Sequence, residues 1–151
     1  TLLQRASGDL QVQADPTRAH LQEAYLWLRR RTPSTAYVLE RPVGMNDLEM
    51  STVAERRTVV AQSSMYTATL AYHDVLVDRA TQVVERLGAC TLTQGDITRL
   101  FATPIPWPRS LYAIVPVSPA ARGGCPSLPH GVEPVFDNPD YAIYVIRVSD
   151  R

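Results

Sequence analysis

The hydrophobic pattern is clearest within the stretch from Asp47 to Leu87. This stretch contains neither proline nor glycine, and Gly88 ends it. In its second half, apolar or small residues recur at steps of three and four, at Met65, Ala68, Tyr72, Leu76, Ala80, Val83 and Leu87. Such spacing keeps one face of an α-helix apolar, so we predict a long central helix with Leu76 and Val83 buried. The helix is either continuous or broken near Ser63-Ser64, where serine side chains compete for backbone hydrogen bonds.

Two shorter helices are predicted around this stretch. One begins at Asp15-Pro16, since an aspartate caps exposed backbone N–H groups and a proline at the first helical position has no N–H to lose. It ends before Pro33, and a further helix covers about Gln94–Ala102. Residues 15–102 are therefore expected to be mainly helical, after a polar lead-in over residues 1–14.

Strand-like runs replace the helical periodicity in the proline-rich stretch from 103 to 151. Leu111–Val117 and Tyr141–Val148 are rich in β-branched and aromatic residues, which favour strands. Ala36–Glu40 is interpreted as a short strand or an extended link. The whole chain, residues 1–151, is thus predicted to be one α+β domain, dominated by helices, with a small C-terminal antiparallel sheet.

The composition indicates a folded protein without bulk attraction to polyanions. Of the 151 residues, 45% are hydrophobic and 20% charged, as in ordinary globular domains, and fifteen acidic residues balance fifteen basic ones. A net charge of zero does not favour nucleic acid or an anionic membrane as a partner. Every basic residue is arginine, which either codon bias or selection against a modifiable amine explains, and the sequence leaves both open.

The cytoplasm is the expected location. The N-terminal TLLQRASGD turns polar within four residues, unlike a signal peptide, and no apolar run approaches the length of a membrane helix. Cys90 and Cys125 can in principle form one disulfide, but nothing in their spacing favours it. We therefore predict reduced cysteines in a cytoplasmic protein, with a virion or another assembly also compatible.

Motifs that carry chemistry are sparse. The sequence contains no P-loop, no dinucleotide-binding glycine fingerprint, no GxSxG and no HExxH. Asp74 and Asp78 share a helical face, but His73 is displaced from it, and a metal ion needs ligands that converge on one point. Cys125 and His130 do not have a zinc-binding spacing. We predict no catalytic residue, no metal and no cofactor, and the sequence leaves open whether either group converges in space.

The segment Thr91–Pro104, TLTQGDITRLFATP, places a Thr-Gln pair before an amphipathic helical pattern. This LTQxDIxxLF pattern is similar to the opening helix of helix-turn-helix repressors. The resemblance implies that a recognition helix follows. The chain instead continues with PIPWPRS, and three prolines in five residues (104–108) cannot form a helix that enters a major groove. A DNA-binding regulator therefore stays an alternative.

Arginine clusters are one candidate binding surface. Arg29, Arg30 and Arg31 stand at a helix end, and Arg56 and Arg57 form a pair on the predicted central helix. If the two clusters met in space, their guanidinium groups would form an anion-binding or docking patch. Charge pairing at the helix end is the plainer interpretation.

The other candidate surface combines the stretch Pro104–Pro108 with the loop Ser118–Asn138. Proline restricts an extended chain, so less conformational entropy is lost when a partner orders it. Trp107, between two prolines, either anchors another chain or fills the domain's own core.

The main functional hypothesis is a non-enzymatic protein-interaction or assembly component that binds a protein partner or a second copy of itself. Its predicted interaction residues are Trp107, Tyr112, Arg29, Arg30, Arg31, Arg56 and Arg57. One alternative is a small-molecule-binding domain or enzyme with a pocket between the central helix and the sheet. The other is the helix-turn-helix-like regulator.

Overall fold

A computed structural model describes residues 15–41, 53–59 and 73–148, which form three α-helices and a five-stranded sheet. The helices are α1 (Pro16–Arg31), α2 (His73–Gly88) and α3 (Gln94–Phe101). The strands are β1 (Tyr37–Leu39), β2 (Arg57–Thr58), β3 (Ser110–Pro116), β4 (Val132–Asp137) and β5 (Tyr141–Arg147). The predicted α+β class is confirmed.

The sheet is mixed, with the strand order β2-β1-β3-β5-β4. β1 runs parallel to β2 and β3, with Val38 opposite Tyr112, whereas β3, β5 and β4 pair antiparallel. The predicted antiparallel sheet is therefore one side of a larger sheet, because the backbone of β1 pairs with the other edge of β3. β4 lies inside the segment predicted as a loop, since Pro134 and the exposed Glu133 obscure its strand pattern.

Helices cover both faces of the sheet. The core between α1 and the sheet contains Tyr25, Leu28, Val38, Ile114 and Ile143. The core between the sheet and the helices α2 and α3 contains Leu76, Val83, Leu87, Leu100, Leu111, Tyr144 and Ile146. The predicted burial of Leu76 and Val83 is confirmed. Strands that are buried on both faces are apolar at nearly every position, which accounts for the continuous hydrophobic runs in β3 and β5.

The predicted long central helix is not confirmed. Its described part is α2, which has only 16 residues. A helix that starts at Asp47 cannot be continuous, because Glu55 has a positive φ of 52° and Arg57–Thr58 form β2. The alternative break near Ser63-Ser64 lies outside the described residues. In the described part of the chain, no helix combines the length and the apolar content needed to cross a membrane.

The two shorter helices begin close to where the sequence predicts them. The Asp15 side chain accepts a hydrogen bond from the Thr17 N–H at 3.1 Å, and Pro16 is the first residue of α1. At the start of α3, Thr93 and Asp96 form a capping box, in which each side chain accepts from the other residue's backbone N–H. These caps fix the helices that support the two faces of the sheet.

Candidate functional site

An open groove of about 920 Å³ lies along β4, the outermost strand on one side of the sheet. One wall is the segment that follows β3, which contributes Val117, Ala121, Arg122, Gly123 and Gly124. The other wall is β4 and the turn after it, which contribute Pro134, Val135, Phe136, Asp137, Asn138, Pro139 and Asp140. Ala142 and Tyr144 of β5 complete the lining. We name this site the β4 groove and the segment 117–124 the glycine wall.

The glycine wall is held at its start, where the Val117 N–H donates to the Asp140 carbonyl at 2.8 Å and Ala121 is buried, whereas Arg122, Gly123 and Gly124 are exposed. It contains a short 3₁₀ turn, Pro119–Ala121, and the Gly124 N–H donates to the Ala121 carbonyl at 3.0 Å. Gly123 and Gly124 both have φ of 90°, a conformation that other residues rarely adopt, and an added Cβ at either would meet nothing within 4 Å. The position of the wall beyond Ala121 therefore depends on how its far end is attached.

Both ends of the glycine wall are attached to the C-terminal end of α2. The Ser118 hydroxyl donates to the Gly88 carbonyl at 2.6 Å. Cys125 forms a disulfide with Cys90, with 5.2 Å between their Cα atoms. The expectation of reduced cysteines is wrong for this pair. Their separation of 35 positions carries no signal, and it is the return of the chain from β3 to α2 that brings them together.

The opposite wall is held by α1. In the turn after β4, the Asn138 side-chain carbonyl accepts hydrogen bonds from the N–H groups of Asp140 and Tyr141, at 3.1 and 2.8 Å. The Asn138 amide donates to the His20 carbonyl at 2.8 Å, and His20 Nδ1 lies 2.5 Å from the Asp140 carboxylate. This turn is thus a well-anchored part of the groove, in contrast to the glycine wall.

β4 presents an apolar side chain to solvent in the groove. Val135 is 37% exposed, beside a bulge between Pro134 and Phe136 where the register with β5 shifts. Pro134 has no N–H to offer to another strand, and a Glu133–Arg147 ion pair of 2.9 Å joins β4 to β5. These features limit unspecific strand pairing and leave Val135 accessible.

Two exposed side chains of opposite charge, Asp137 and Arg122, line the groove. None of the ion pairs in the described part of the chain includes Asp137. Burial raises the pKa of the Tyr144 hydroxyl, and the negative charge of Asp137 raises it further. The field of Asp137 therefore reaches Tyr144 inside the groove. On the facing wall, Arg122 is exposed.

A second, smaller cavity of about 410 Å³ lies beside α1, next to Phe136 of β4. It is lined by Ala19, Gln22, Glu23, Leu26, Trp27, Arg30, Arg31 and Phe136. The rings of Trp27 and Phe136 pack with their centroids 5.7 Å apart. Two of the predicted interaction residues, Arg30 and Arg31, are thus exposed beside an aromatic pair.

Of the two predicted arginine clusters, only Arg56 is buried, whereas Arg29, Arg30, Arg31 and Arg57 are exposed. Arg56 is only 8% exposed, and its guanidinium donates five hydrogen bonds, to four backbone carbonyls and the Thr32 hydroxyl. One of those carbonyls belongs to Arg29, whose side chain pairs with Glu55 at 3.1 Å. Arg57 is exposed in β2 and not on a helix. Arg56 therefore closes the C-terminal end of α1 and is not presented to a ligand.

Trp107 and Tyr112 pack against the protein's own core. The Trp107 indole is half-buried, meets the Phe101 ring edge-on with centroids 5.1 Å apart, and donates its N–H to the Thr103 carbonyl at 3.0 Å. Tyr112 in β3 is half-buried on the α1 side of the sheet. Neither residue lines the β4 groove, whereas the loop Ser118–Asn138 supplies most of both walls.

The candidate metal ligands whose side chains the structure describes do not converge. No three His, Cys, Asp or Glu side chains form a metal-binding group in the part of the chain that the structure describes. Asp74 and Asp78 are exposed on α2, and the His73 side chain lies outside the described set. Cys125 is bonded to Cys90 and so has no free thiol to place beside His130, which is exposed.

α3 is not followed by a second helix. Residues 102–109 form turns and extended chain that lead into β3, so the recognition helix implied by the repressor resemblance does not follow in this described segment. α3 packs on α2, and its Asp96 accepts hydrogen bonds from Arg86 of α2 and from Arg99.

No protein-family model matches the chain, and no curated protein or solved structure matches it either. Function is therefore inferred from the geometry of the β4 groove and the chemistry of its lining.

Proposed function

We propose that the protein is a non-enzymatic interaction module whose β4 groove holds an extended segment of a partner protein. The observation that carries this proposal is an open groove along an outermost strand, with an exposed apolar residue, Val135, inside it. Extended peptides that bind beside a sheet edge are a recurring mode of recognition. Backbone groups supply affinity there, and alternate side chains of the peptide contact the surface and give specificity.

The lining of the groove indicates the chemistry of the partner. Val117 and Val135 offer apolar surface to a hydrophobic side chain. Asp137 offers a carboxylate without an ion-pair partner in the described residues, and its charge contributes to the raised pKa of Tyr144. A partner segment with a hydrophobic residue and an arginine or lysine a few positions away complements both features.

A small molecule is the second candidate, because a volume of about 920 Å³ lies within the range of ligand sites. Ligand sites bury most of the ligand surface, however, whereas this groove is open and its walls are exposed loop and edge strand. It also lies between the glycine wall and β4, not between the central helix and the sheet as the sequence-based alternative expects. An extended partner segment therefore fits the groove better.

Selection from a displayed library of random peptides tests the proposal. We expect the enriched peptides to combine a hydrophobic and a basic residue. Val135→Asp should weaken their binding about tenfold or more, because a carboxylate buried against an apolar side chain opposes association. Val75→Asp is the matched control, since Val75 is also a well-exposed valine, at 42%, and lies on α2 outside the groove.

A second variant tests the charge of the groove. Asp137→Asn should weaken peptides that carry a basic residue and leave peptides without one unchanged. Peptides that bind Val135→Asp and Val75→Asp equally well would contradict binding in the groove. If no peptide is enriched, and small-molecule fragments shift the amide resonances of Val135, Phe136 and Asp137, the second candidate is favoured.

A further inference from the structure

We infer that the Cys90–Cys125 disulfide is a reversible clasp on the β4 groove: a dithiol reductant that opens it frees the glycine wall and weakens the binding of a partner segment. The effect on the wall follows from the placement of the disulfide. The effect on binding rests on the proposed function.

Cys90 occupies a backbone position that suits glycine better than cysteine. Its φ is 57°, in the left-handed region that glycine favours just after a helix. Two hydrogen bonds close α2 around it, from the Cys90 N–H to the Leu87 carbonyl at 3.2 Å and from the Thr91 N–H to the Arg86 carbonyl at 2.8 Å. This is the Schellman pattern. The backbone therefore gives no reason for a cysteine at this position, whereas the disulfide does.

The disulfide holds the far end of the glycine wall. Ser118 attaches the near end to α2, Ala121 is buried, and the next apolar anchor after Cys125 is Leu128, which packs against the core. From Arg122 to Ser127, every residue except Cys125 is exposed. Without the disulfide, this segment keeps its own Ala121–Gly124 hydrogen bond but loses its covalent link to α2. Its conformational freedom then rises, and the wall no longer has one fixed position.

The disulfide is adjacent to the groove and within reach of a small reductant. Cys125 Sγ lies 3.7 Å from the hydroxyl of Tyr144, which lines the groove, and both cysteines are only half-buried. A thiolate of the dithiol attacks one sulfur to form a mixed disulfide, and the second thiol of the reductant then displaces the other cysteine. In the net reaction the protein gains two electrons and two protons as two cysteine thiols, and the dithiol is oxidised to a disulfide.

Trypsin reports on the glycine wall directly, because Arg122 is an exposed arginine within it. The oxidised full chain and the same chain treated with dithiothreitol are digested briefly, and cleavage after each arginine is followed by mass spectrometry. We expect cleavage after Arg122 to accelerate about tenfold on reduction, since proteolysis follows the open population of a segment. Cleavage after Arg109, which is exposed just before β3, is the internal control and should not change.

A variant separates the loss of the disulfide from other effects of the reductant. Cys90→Gly removes the bond and places the favoured residue at the left-handed position, so it is expected to fold. Its cleavage after Arg122 should match the reduced rate with or without dithiothreitol. Unchanged cleavage after Arg122 in the fully reduced chain overturns the inference. Equal acceleration after Arg109 also overturns it, because that result means general loosening of the fold.

Peptide binding distinguishes this inference from the proposed function. Peptides selected on the oxidised chain should bind the reduced chain and Cys90→Gly about tenfold more weakly. If cleavage after Arg122 accelerates but no peptide depends on Val135, the clasp stands and the proposed function fails. If the peptides depend on Val135 yet bind oxidised and reduced chains equally, the proposed function stands and the redox control fails.

Discussion

Two charged side chains, Arg56 and Asp96, are buried in the described part of the fold, and each completes the end of a helix. Arg56 donates to backbone carbonyls at the C-terminal end of α1, and Asp96 accepts from the Thr93 N–H at the N-terminal end of α3. Cations are favoured at helix C-termini and anions at N-termini, because the helix dipole has opposite signs at the two ends. The burial of both side chains therefore has a structural cause.

Substitution of Arg56 tests this role. Arg56→Ala removes the donors to the Thr32 hydroxyl and to the carbonyls of Arg29 and Thr32. We expect the free energy of unfolding to fall by about 2–4 kcal/mol. The neighbouring exposed residue provides the control, since Arg57→Ala should change stability by less than about 0.5 kcal/mol. Urea denaturation measures both values, and equal losses would show that Arg56 has no special part in closing α1.

Asp96 makes the free energy of unfolding depend on pH in the acidic range. Burial raises the pKa of this carboxyl, but hydrogen bonds from Thr93 and Arg99 and the charge of Arg86 outweigh burial, so its pKa lies below the ordinary value. A carboxyl with a lowered native pKa stabilises the fold above its unfolded pKa of about 3.9. That contribution is lost as pH falls through the native pKa.

The expected result for Asp96→Asn has a clear pH signature. The variant should lose about 1–3 kcal/mol of stability near neutral pH, and the loss should shrink as the pH falls below about 4. Urea denaturation of both chains over that range measures the difference. A loss that stays constant at low pH would mean that the charge of Asp96 does not stabilise α3.

At the scale of elements, α2 carries the apolar stripe that packs on the sheet and on α3. Leu76 is 6% exposed and its neighbour Val75 is 42% exposed. Leu76→Ala should cost about 2–5 kcal/mol, because it leaves a cavity in the core. Val75→Ala should cost less than about 0.5 kcal/mol. Thermal and urea denaturation check the pair, and similar losses would contradict the assigned face of α2.

Elements with a local signal were predictable from the sequence. The Asp15-Pro16 cap indicates α1, and the hydrophobic runs Leu111–Val117 and Tyr141–Val148 indicate β3 and β5. The extent of the central helix was overestimated, because the absence of proline and glycine permits a helix without requiring one. The turn at Glu55, with its positive φ, has no glycine to mark it. β1 is only three residues long, and its place in the sheet depends on a partner strand that is distant in sequence.

The candidate site was predictable only in outline. The loop Ser118–Asn138 was singled out for its prolines and glycines, and it does supply most of the groove lining. That Val135 and Asp137 face the groove follows from the position of β4 at the edge of the sheet, which no local pattern shows. The disulfide was missed for the same reason, since the approach of Cys125 to α2 depends on the path of the chain after β3.

At the scale of the whole molecule, the sheet joins the N-terminal and C-terminal parts of the described chain. β1 from the N-terminal part pairs with β3, and α1 packs on β4 and β5 from the C-terminal part. Because these contacts connect all described elements through one sheet, the predicted single domain should unfold in one cooperative transition. Calorimetry should give equal calorimetric and van't Hoff enthalpies, and two resolved transitions would contradict a single domain.

The parallel pairing of β1 with β3 has a consequence for the order of folding. β4 and β5 are joined by a short turn, so they can pair early, whereas β1 and β3 enclose all of α2 and α3 and must close a long loop first. During synthesis, α1 and β1 leave the ribosome long before β3 and β5 exist. The side chains of Tyr25, Leu28 and Val38 are buried in the folded protein, and they therefore stay exposed to solvent until β3 and β5 are made. These apolar side chains should therefore stay accessible to a chaperone until β3 and β5 have been synthesised.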